Sequence, residues 1–321
     1  MTRGASGATT PDKAALIAAK ARVNRWAART PVLTCGSIDE IAGCSIAFKC
    51  ENFQKVGAFK FRGATNAVFS LGDEEARRGV ATHSSGNHAQ ALALAARNRG
   101  IDAHVVMPTT SAATKRAAVE GYGAKVIDCA PTLEARETTL DEVVERTGAT
   151  FIHPYDDYRI IAGQAGAAME LLEERPDLEI LMAPVGGGGL LAGTALAGAF
   201  FSKGAKVIAA EPEEADDAYR SMEKGEIVPS VNPDTIADGL LTSLGTRNFP
   251  IIRQHVDRIV TVSDEEIARA MRLVWERMKT IIEPSSAVPL AAILEGKVDA
   301  AGKAVGIIVS GGNVDLDRLP W

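Results

Sequence analysis

A lysine placed among apolar and small residues is the first candidate for chemistry. Lys60 lies between Phe59 and Phe61 in the stretch GAFKFRG, residues 57–63. Burial disfavours the charged form of a lysine and lowers its pKa. The neutral amine is a nucleophile that can form a Schiff base with an aldehyde. Taken alone, the stretch is more typical of a lysine at a helix end whose ammonium reaches water, so other motifs must decide between the two interpretations.

Four consecutive glycines, residues 186–189, form the second motif, between an apolar run and a helical pattern. Glycine lets the backbone take positive φ and lets a ligand come close to it. Successive N–H groups at the start of a helix form a concavity for an anion. A tight turn would need only one or two glycines, so we predict a phosphate site. The run matches neither the dinucleotide-binding nor the nucleoside-triphosphate-binding glycine motif.

The third motif is SSGNH, residues 84–88, where another helix is predicted to begin. Ser84, Ser85 and Asn87 offer two hydroxyls and an amide, which is more than a helix cap requires, although capping is the simplest alternative. Backbone N–H groups at such a turn can hold a substrate carboxylate. His88 fits a structural hydrogen bond as well as it fits catalysis.

Short apolar runs alternate with helical patterns along the chain. Most are continuously apolar, as strands buried on both faces are, so the pattern predicts an α/β fold with parallel sheets. Several runs end in small or polar clusters, and ligands of parallel sheets bind beyond the carboxyl ends of the strands. The motifs are therefore expected to share one pocket. The candidate strands are residues 45–51, 79–84, 103–108, 124–129, 150–155, 179–185, 205–211, 258–263 and 304–310.

Two helix starts carry recognisable signals. Thr10 followed by Pro11 predicts an N-cap and first helical residue near the start of the chain. Ser263 and Glu266 have the spacing of a capping box.

Composition excludes several classes of function. The chain has 321 residues, which suits two domains, and its net charge of −6 argues against a nucleic-acid binder. No apolar run is long enough for a membrane span, and the first twenty residues lack the apolar core of a secretory signal. The four cysteines form no C-x-x-C pair, so we expect free thiols in a reducing cytoplasm.

Four ordered segments resemble the pyridoxal-phosphate-dependent serine/threonine dehydratase and serine racemase family, which has the tryptophan-synthase-β-like fold type II. They are ENFQKVGAFKFRGATNAV, THSSGNHAQALALAA, APVGGGGLLAG and IIVSGGNVDL. The resemblance implies a homodimer whose subunits have two three-layer α/β/α domains with mostly parallel sheets. Residues 1–78 and 155–321 would form the large pyridoxal-phosphate-binding domain, and residues 79–154 a small mobile domain.

The same resemblance implies roles for individual residues toward the cofactor. Lys60 would bind its aldehyde carbon, the glycine run its phosphate, Asn87 its 3-oxygen and Ser310 its pyridine nitrogen. A serine at that nitrogen leaves the ring nearly neutral, which makes a weaker electron sink and suits elimination. The implied cofactor-binding residues are Phe59, Lys60, Asn87, Gly186, Gly187, Gly188, Gly189, Leu190, Gly239, Glu283 and Ser310.

Substrate and metal sites are implied in the same way. Ser85 matches the acid/base that acts on the face opposite the lysine in the racemases. The acidic segment 211–217 would supply hard oxygen ligands for Mg²⁺ or Ca²⁺, the alternative being a solvated acidic loop. The implied substrate-binding residues are Ser84, Ser85, Gly86, Asn87, His88 and Tyr155. The implied metal ligands are Glu211, the carbonyl of Ala215 and Asp217.

The expected function is an ammonia-lyase that converts L-serine or L-threonine to a 2-oxo acid and ammonia, with racemisation of serine permitted by Ser85. A 3-hydroxyaspartate dehydratase is the main alternative, because other segments resemble that group. Its second substrate carboxylate would need donors, for which Arg136, His153 and Tyr155 are candidates. A pyridoxal-phosphate synthase that works by β-replacement and a non-catalytic binding protein also remain open.

Overall fold

The computed structural model describes residues 9–321, and within them ten strands form two sheets. The strands are β1 (Val32–Leu33), β2 (Ser45–Cys50), β3 (Val80–His83), β4 (Ala103–Pro108), β5 (Lys125–Cys129), β6 (Thr150–Phe151), β7 (Ile180–Pro184), β8 (Lys206–Pro212), β9 (Arg258–Val262) and β10 (Ala304–Val309).

The larger sheet has six strands in the order β1-β2-β10-β7-β8-β9, and the smaller has four in the order β5-β4-β3-β6. In the described chain, β1 runs antiparallel to β2, and every other pairing is parallel. The carboxyl ends of neighbouring parallel strands therefore lie along one edge of each sheet. Such an edge is where ligands bind in folds of this kind.

Thirteen α-helices connect and cover these strands within residues 9–321. They are α1 (Lys13–Val23), α2 (Gly36–Ala42), α3 (Lys60–Ser70), α4 (Asp73–Arg77), α5 (Asn87–Arg99), α6 (Ala113–Gly121), α7 (Leu133–Thr147), α8 (Tyr158–Glu174), α9 (Gly189–Phe201), α10 (Asp217–Lys224), α11 (Asn248–His255), α12 (Asp264–Met278) and α13 (Pro284–Leu294).

Helices pack on both faces of each sheet. Apolar residues of α8, α9 and α11 form one core with the large sheet, and those of α2, α12 and α13 form another on its opposite face. The small sheet has α5 and α6 in one core and α7 in another. The predicted α/β fold with parallel sheets is thus confirmed. The domain boundaries stay a prediction, and the first eight residues assigned to the large domain lie outside the described part.

All nine predicted strands are present, and β1 was missed because it has only two residues. The run 150–155 is shorter than predicted, since β6 ends at Phe151. Thr10 is not the cap of α1: Asp12 takes that place and accepts a hydrogen bond from the Ala15 N–H at 2.8 Å. The capping box of Ser263 and Glu266 is confirmed. No helix between residues 9 and 321 is both long and apolar enough to cross a membrane.

Candidate active site

The segment that carries Lys60 is hydrogen-bonded to the residues that follow β10. The Phe59 N–H donates to the Ser310 carbonyl at 2.9 Å, and Ala58 forms an isolated antiparallel bridge with Gly311. Lys60 is then the first residue of α3. The backbone that follows a strand of the large sheet therefore sets the position of the lysine.

The Lys60 side chain is half-buried, and its amine has little to compensate its charge. Its Nζ donates to the Pro154 carbonyl at 3.1 Å and lies 5.1 Å from the centre of the Phe59 ring. No carboxylate of the described chain forms a salt bridge with it. Burial lowers the pKa of Lys60 to about 8, an effect that the charge of Glu283 opposes in part. About a tenth of the amine is therefore neutral and nucleophilic at pH 7, far more than for a lysine with the ordinary pKa of 10.5.

The glycine run makes the tight turn between β7 and α9. Gly188 has a φ of +90°, and no side chain caps the first turn of α9. A Cβ at Gly187 would lie 2.4 Å from the Tyr155 ring, and one at Gly186 would lie 2.9 Å from the Leu240 Cα. Because both positions exclude a side chain and the helix start lacks a cap, the turn presents bare backbone N–H groups, as an anion site requires.

The SSGNH segment forms a second uncapped helix start, at α5. Gly86 is the N-cap and no side chain bonds to the first turn, so the capping alternative is wrong. Ser84 Oγ instead accepts from the Gly86 N–H at 3.3 Å. His88 is buried with its Nε2 3.4 Å from the Ile152 carbonyl, and burial lowers its pKa well below the ordinary value. This environment makes His88 a neutral, structural histidine.

The Asn87 amide is held at both ends. Its Nδ2 donates to the Glu283 carboxylate at 3.2 and 3.3 Å, while its Oδ1 accepts from Asn313 Nδ2 at 2.8 Å. The Asn313 backbone N–H also donates to Glu283 at 3.2 Å. Burial raises the pKa of Glu283 to about 7, although the hydrogen bond from Asn87 acts in the opposite direction. These contacts join α5, the start of α13 and the segment after β10.

Two serines of α13 face other predicted cofactor residues. Ser286 Oγ lies 2.9 Å from Ser310 Oγ, donates to the Gly311 carbonyl at 2.7 Å and accepts from the Gly311 N–H at 2.8 Å. Ser285 Oγ accepts from the Gly239 N–H at 3.2 Å. The Ser310 hydroxyl is thereby placed at the end of β10, with Gly239 held against the same helix.

Glu211 and Asp217 are fully buried acids at the end of β8 and the start of α10. Glu211 accepts from the backbone N–H groups of Ala218 and Tyr219, at 3.1 and 2.9 Å. Both Asp217 carboxylate oxygens lack a hydrogen-bond partner in the described chain. Burial raises the pKa of Glu211 to about 9 and that of Asp217 to about 6.

The Asp217 carboxylate, with Glu211 close enough to interact with it electrostatically, fits a hard cation, because buried anionic oxygens without a partner are costly. Among residues 9–321 no group of three or more His, Cys, Asp and Glu side chains could hold a metal. The predicted metal ligands include only two such side chains, Glu211 and Asp217, because the third ligand is the backbone carbonyl of Ala215. The absence of a three-residue group therefore neither supports nor contradicts the predicted site.

Two parts of the site were missed by the sequence patterns. Asn248 donates from its buried amide to the Gly187 carbonyl at 2.7 Å and contacts the glycine turn from α11. Arg62, two residues after Lys60, forms buried ion pairs with Glu51 and Glu170. An arginine inside GAFKFRG was a visible signal for buried pairing, whereas nothing near Asn248 marks it.

This fold and this site define a class of enzyme. Residues 23–311 match the model of the pyridoxal-phosphate dependent enzyme family, so the chain belongs to that family. The Lys60 amine, which forms no salt bridge in the described chain, and the uncapped start of α9 fit that cofactor. The resemblance to its dehydratase and racemase members is confirmed by individual relatives.

The chain is 50% identical over 306 residues to the beta-hydroxyaspartate dehydratase of Paracoccus denitrificans, covering 95% of this chain and 97% of that one. The crystal structure of serine racemase from Dictyostelium discoideum matches with a TM-score of 0.92 and 50% identity, over 96% of this chain and all (100%) of the other. The structure of maize serine racemase matches with a TM-score of 0.94 and 44% identity, over 96% and 95% of the two chains. A threonine deaminase crystal structure matches with a TM-score of 0.91 and 42% identity, over 96% and 100%. The chain is thus an enzyme of the dehydratase and racemase type.

Proposed function

We propose that this enzyme eliminates water from a β-hydroxy-α-amino acid of the L-serine or L-threonine type, releasing a 2-oxo acid and ammonia. The observation that carries the proposal is the half-buried Lys60 amine, whose pKa burial lowers to about 8 and which forms no salt bridge with a carboxylate of the described chain. Such an amine can bind an aldehyde and can also accept a proton near neutral pH. Serine racemase and threonine deaminase relatives support the choice of substrate class.

The residues divide the work by position. The free N–H groups at the start of α5 bind the substrate carboxylate, and Asn87 and Ser85 lie beside them. Bound pyridoxal phosphate supplies an electron sink for charge that develops at the substrate Cα. Lys60 removes the Cα proton and the β-hydroxyl leaves, so that this proton and the hydroxyl make up the water released. The enamine that is released tautomerises to an imine, and water hydrolyses the imine to a 2-oxo acid and ammonia.

Ser85 gives the site a second acid/base for racemisation. It lies half-buried between β3 and α5, in the turn where substrate would bind. A proton added from the face opposite Lys60 inverts the Cα, so racemisation of serine accompanies elimination. A Ser85→Ala variant keeps elimination and loses racemisation under this proposal.

A dehydratase acting on 3-hydroxyaspartate is the second candidate, and Arg136 favours it. The Arg136 Nε is buried without a hydrogen-bond partner in the described chain. Burial lowers the pKa of His83 and the charge of Arg136 lowers it further, so the guanidinium lies close enough to the last residue of β3 to act on it electrostatically. A free guanidinium there suits a second substrate carboxylate. The 50% identical Paracoccus denitrificans relative supports this alternative.

His153 and Tyr155 are weaker candidates for that carboxylate. His153 Nδ1 accepts from the Tyr155 and Asp156 N–H groups at 3.2 and 2.9 Å, and burial lowers the pKa of His153 to about 4. It therefore offers at most a neutral donor. The Tyr155 ring packs against the glycine turn rather than standing free.

The proposal extends to a cation, a dimer and a location. A Mg²⁺ or Ca²⁺ ion is held by Glu211, Asp217 and the carbonyl of Ala215, and it neutralises two buried acids.

The protein is a cytoplasmic homodimer, and the exposed Phe53 and Ile281 suit its interface. The two are close to each other, because the side chain of Asn52, next to Phe53, donates to the Ile281 carbonyl at 3.0 Å. Residues 79–154 form a small domain that moves relative to the rest. Light scattering coupled to gel filtration tests the dimer.

One substrate panel separates the candidates. The purified holoenzyme is incubated with L-serine, D-serine, L-threonine and the 3-hydroxyaspartate isomers, with and without Mg²⁺, and 2-oxo acid, ammonia and chirality are followed. Turnover of L-serine or L-threonine supports the proposal. Turnover of 3-hydroxyaspartate alone selects the alternative. A parallel incubation contains added thiols, and product formation only in their presence indicates a β-replacement synthase. No turnover of any member would contradict elimination altogether.

A further inference from the structure

The carbonyl of Gly187, inside the glycine turn, accepts two hydrogen bonds from outside the turn. Asn248 Nδ2 donates to it at 2.7 Å, and the Gly245 N–H donates at 3.1 Å. A carbonyl oxygen has two lone pairs, so this acceptor is saturated. The orientation of the peptide between Gly187 and Gly188 is therefore fixed by α11 and the segment just before it.

That orientation decides where one N–H of the turn points. The peptide group is planar and trans, so its N–H points opposite to its C=O. With the Gly187 carbonyl facing Asn248, the Gly188 N–H faces away from α11, and it has no backbone acceptor in the described chain. Gly188 can adopt this arrangement because its φ of +90° suits glycine.

Asn248 is itself held rigidly. It is fully buried as the first residue of α11, and its second Nδ2 proton goes to the Tyr155 carbonyl at 3.2 Å. Asp156 accepts from the Thr246 and Arg247 N–H groups, at 3.1 and 2.7 Å, and so anchors the turn before Asn248. Both amide protons are committed to carbonyls, which prevents the amide from flipping.

We propose that Asn248 is a positioning residue for the phosphate site, acting by turning the Gly188 N–H toward the cofactor phosphate. The inference rests on the proposed role of the glycine turn as the phosphate site. Without Asn248, the Gly187 carbonyl can rotate toward the anion, where its negative end repels a phosphate. Asn248 therefore affects recognition of the phosphate and not of the pyridine ring.

The test compares two ligands that differ only in the phosphate. Apoprotein of the wild type and of Asn248→Ala and Asn248→Ser is titrated with pyridoxal phosphate and with pyridoxal, and each Kd is measured by absorbance. We expect the Kd of pyridoxal phosphate to rise about 10-fold or more, the scale of one lost buried hydrogen bond, with that of pyridoxal unchanged. Asn66→Ala is the matched control, since Asn66 donates to the Arg159 carbonyl away from the glycine turn.

The outcomes are distinguishable. A wild type that binds pyridoxal as tightly as pyridoxal phosphate would refute the phosphate role of the turn itself. A wild-type preference for the phosphate that persists in both Asn248 variants, or an equal loss for both ligands, would overturn the positioning role alone. If neither variant folds, the ³¹P shift of bound cofactor in Asn248→Asp holoenzyme replaces the titration. A shift equal to that of the wild type would then overturn the inference.

Discussion

Two cations on the first turn of one helix have very different surroundings. Arg62 and Lys60 are separated by one residue in α3; Arg62 is fully buried and Lys60 is half-buried. Arg62 donates four hydrogen bonds to Glu51 and Glu170, at 2.7 to 2.9 Å. Within residues 9–321, the Lys60 amine makes one hydrogen bond, to the Pro154 carbonyl, and lies over the Phe59 ring.

The difference in partners produces opposite shifts in pKa. Burial alone would lower the pKa of Arg62. The charges and hydrogen bonds of Glu51 and Glu170 outweigh burial and raise this pKa above its ordinary value. Burial lowers the pKa of Lys60 to about 8, with only the charge of Glu283 in opposition. Lys49 completes the paired network, 2.7 Å from Glu170, so that two positive and two negative charges balance. Full pairing makes a structural cation, and incomplete pairing makes a reactive amine.

Removing the reactive amine gives the largest expected effect on activity. Lys60→Ala loses both the covalent attachment of the cofactor and the Cα base, so we expect elimination to fall by at least about 10²-fold to 10⁴-fold. Release of 2-oxo acid from the best substrate of the panel measures it. Lys60→Arg serves as a control that keeps a cation without a nucleophile. Activity within a few-fold of wild type in either variant would contradict the role of Lys60.

Removing the paired cation should instead destabilise the fold. Arg62→Met leaves Glu51 and Glu170 buried with too few partners, at a cost of about 3–5 kcal/mol in the free energy of unfolding. Denaturant unfolding of the apoprotein measures it. Arg175→Met, which breaks the more exposed pair with Asp177, should cost less than about 1 kcal/mol.

The matching substitution at Lys60 tests whether the two cations affect stability in opposite directions. The folded-state pKa of Lys60 lies below its ordinary value of 10.5, so the protonated amine destabilises the fold below about pH 8, and stability increases as the pH rises toward 10.5. Lys60→Met apoprotein should therefore be at least as stable as wild type at pH 7, opposite in sign to Arg62→Met. A large loss in both variants would show that the two cations are equivalent.

Glu211 and Asp217 are the acidic counterpart of Lys60, buried without a cationic partner. Their folded-state pKa values of about 9 and 6 exceed the ordinary 4.5 and 3.8. The metal-free protein should therefore lose stability as the pH rises through that range, because the folded state holds protons that the unfolded state has released. A bound cation favours the ionised acids, so its stabilising effect grows with pH.

Thermal unfolding with Mg²⁺, Ca²⁺ or EDTA at pH 6 and pH 8 measures this effect. We expect the gain in Tm from the cation to be larger at pH 8 and to be lost in Asp217→Asn. Asp177→Asn is the control, since Asp177 pairs with Arg175 at the surface, away from these acids. An equal gain at both pH values, or in both variants, would argue against a site on these acids.

The smallest expected effect lies in the electrostatics around Lys60. Glu283→Gln keeps the shape but removes the charge that opposes burial, so the pKa of Lys60 should fall below about 8 in the apoprotein. Reductive methylation of Lys60 with ¹³C-formaldehyde, followed by NMR across pH, measures it. Asp102→Asn, which alters a surface pair with Lys125, should leave it unchanged. A rise in the Lys60 pKa in Glu283→Gln would contradict the assigned opposition.

Local patterns were sufficient for nine of the ten strands and for the glycine turn, whereas Lys60 was singled out only together with the other motifs. Continuous apolar runs marked the strands because parallel sheets are covered on both faces, and glycines marked the turn because the φ of Gly188 requires one. Asn248 and the Glu51–Arg62–Glu170 pairing were not predicted. Asn248 contacts Gly187 across 61 positions of the sequence, and Arg62 contacts Glu170 across 108. No local spacing encodes such contacts, which arise only when the sheets are assembled.

The most direct test of the central claim is to locate the cofactor on the chain. Holoenzyme is reduced with borohydride, which fixes a cofactor bound through its aldehyde to the amine that holds it, and the digested protein is mapped by mass spectrometry. The expected result is one modified residue, Lys60, with no modification in Lys60→Ala. Modification of another lysine, or an unmodified Lys60 in active holoenzyme, would contradict the claim that the unpaired amine of α3 is the reactive one.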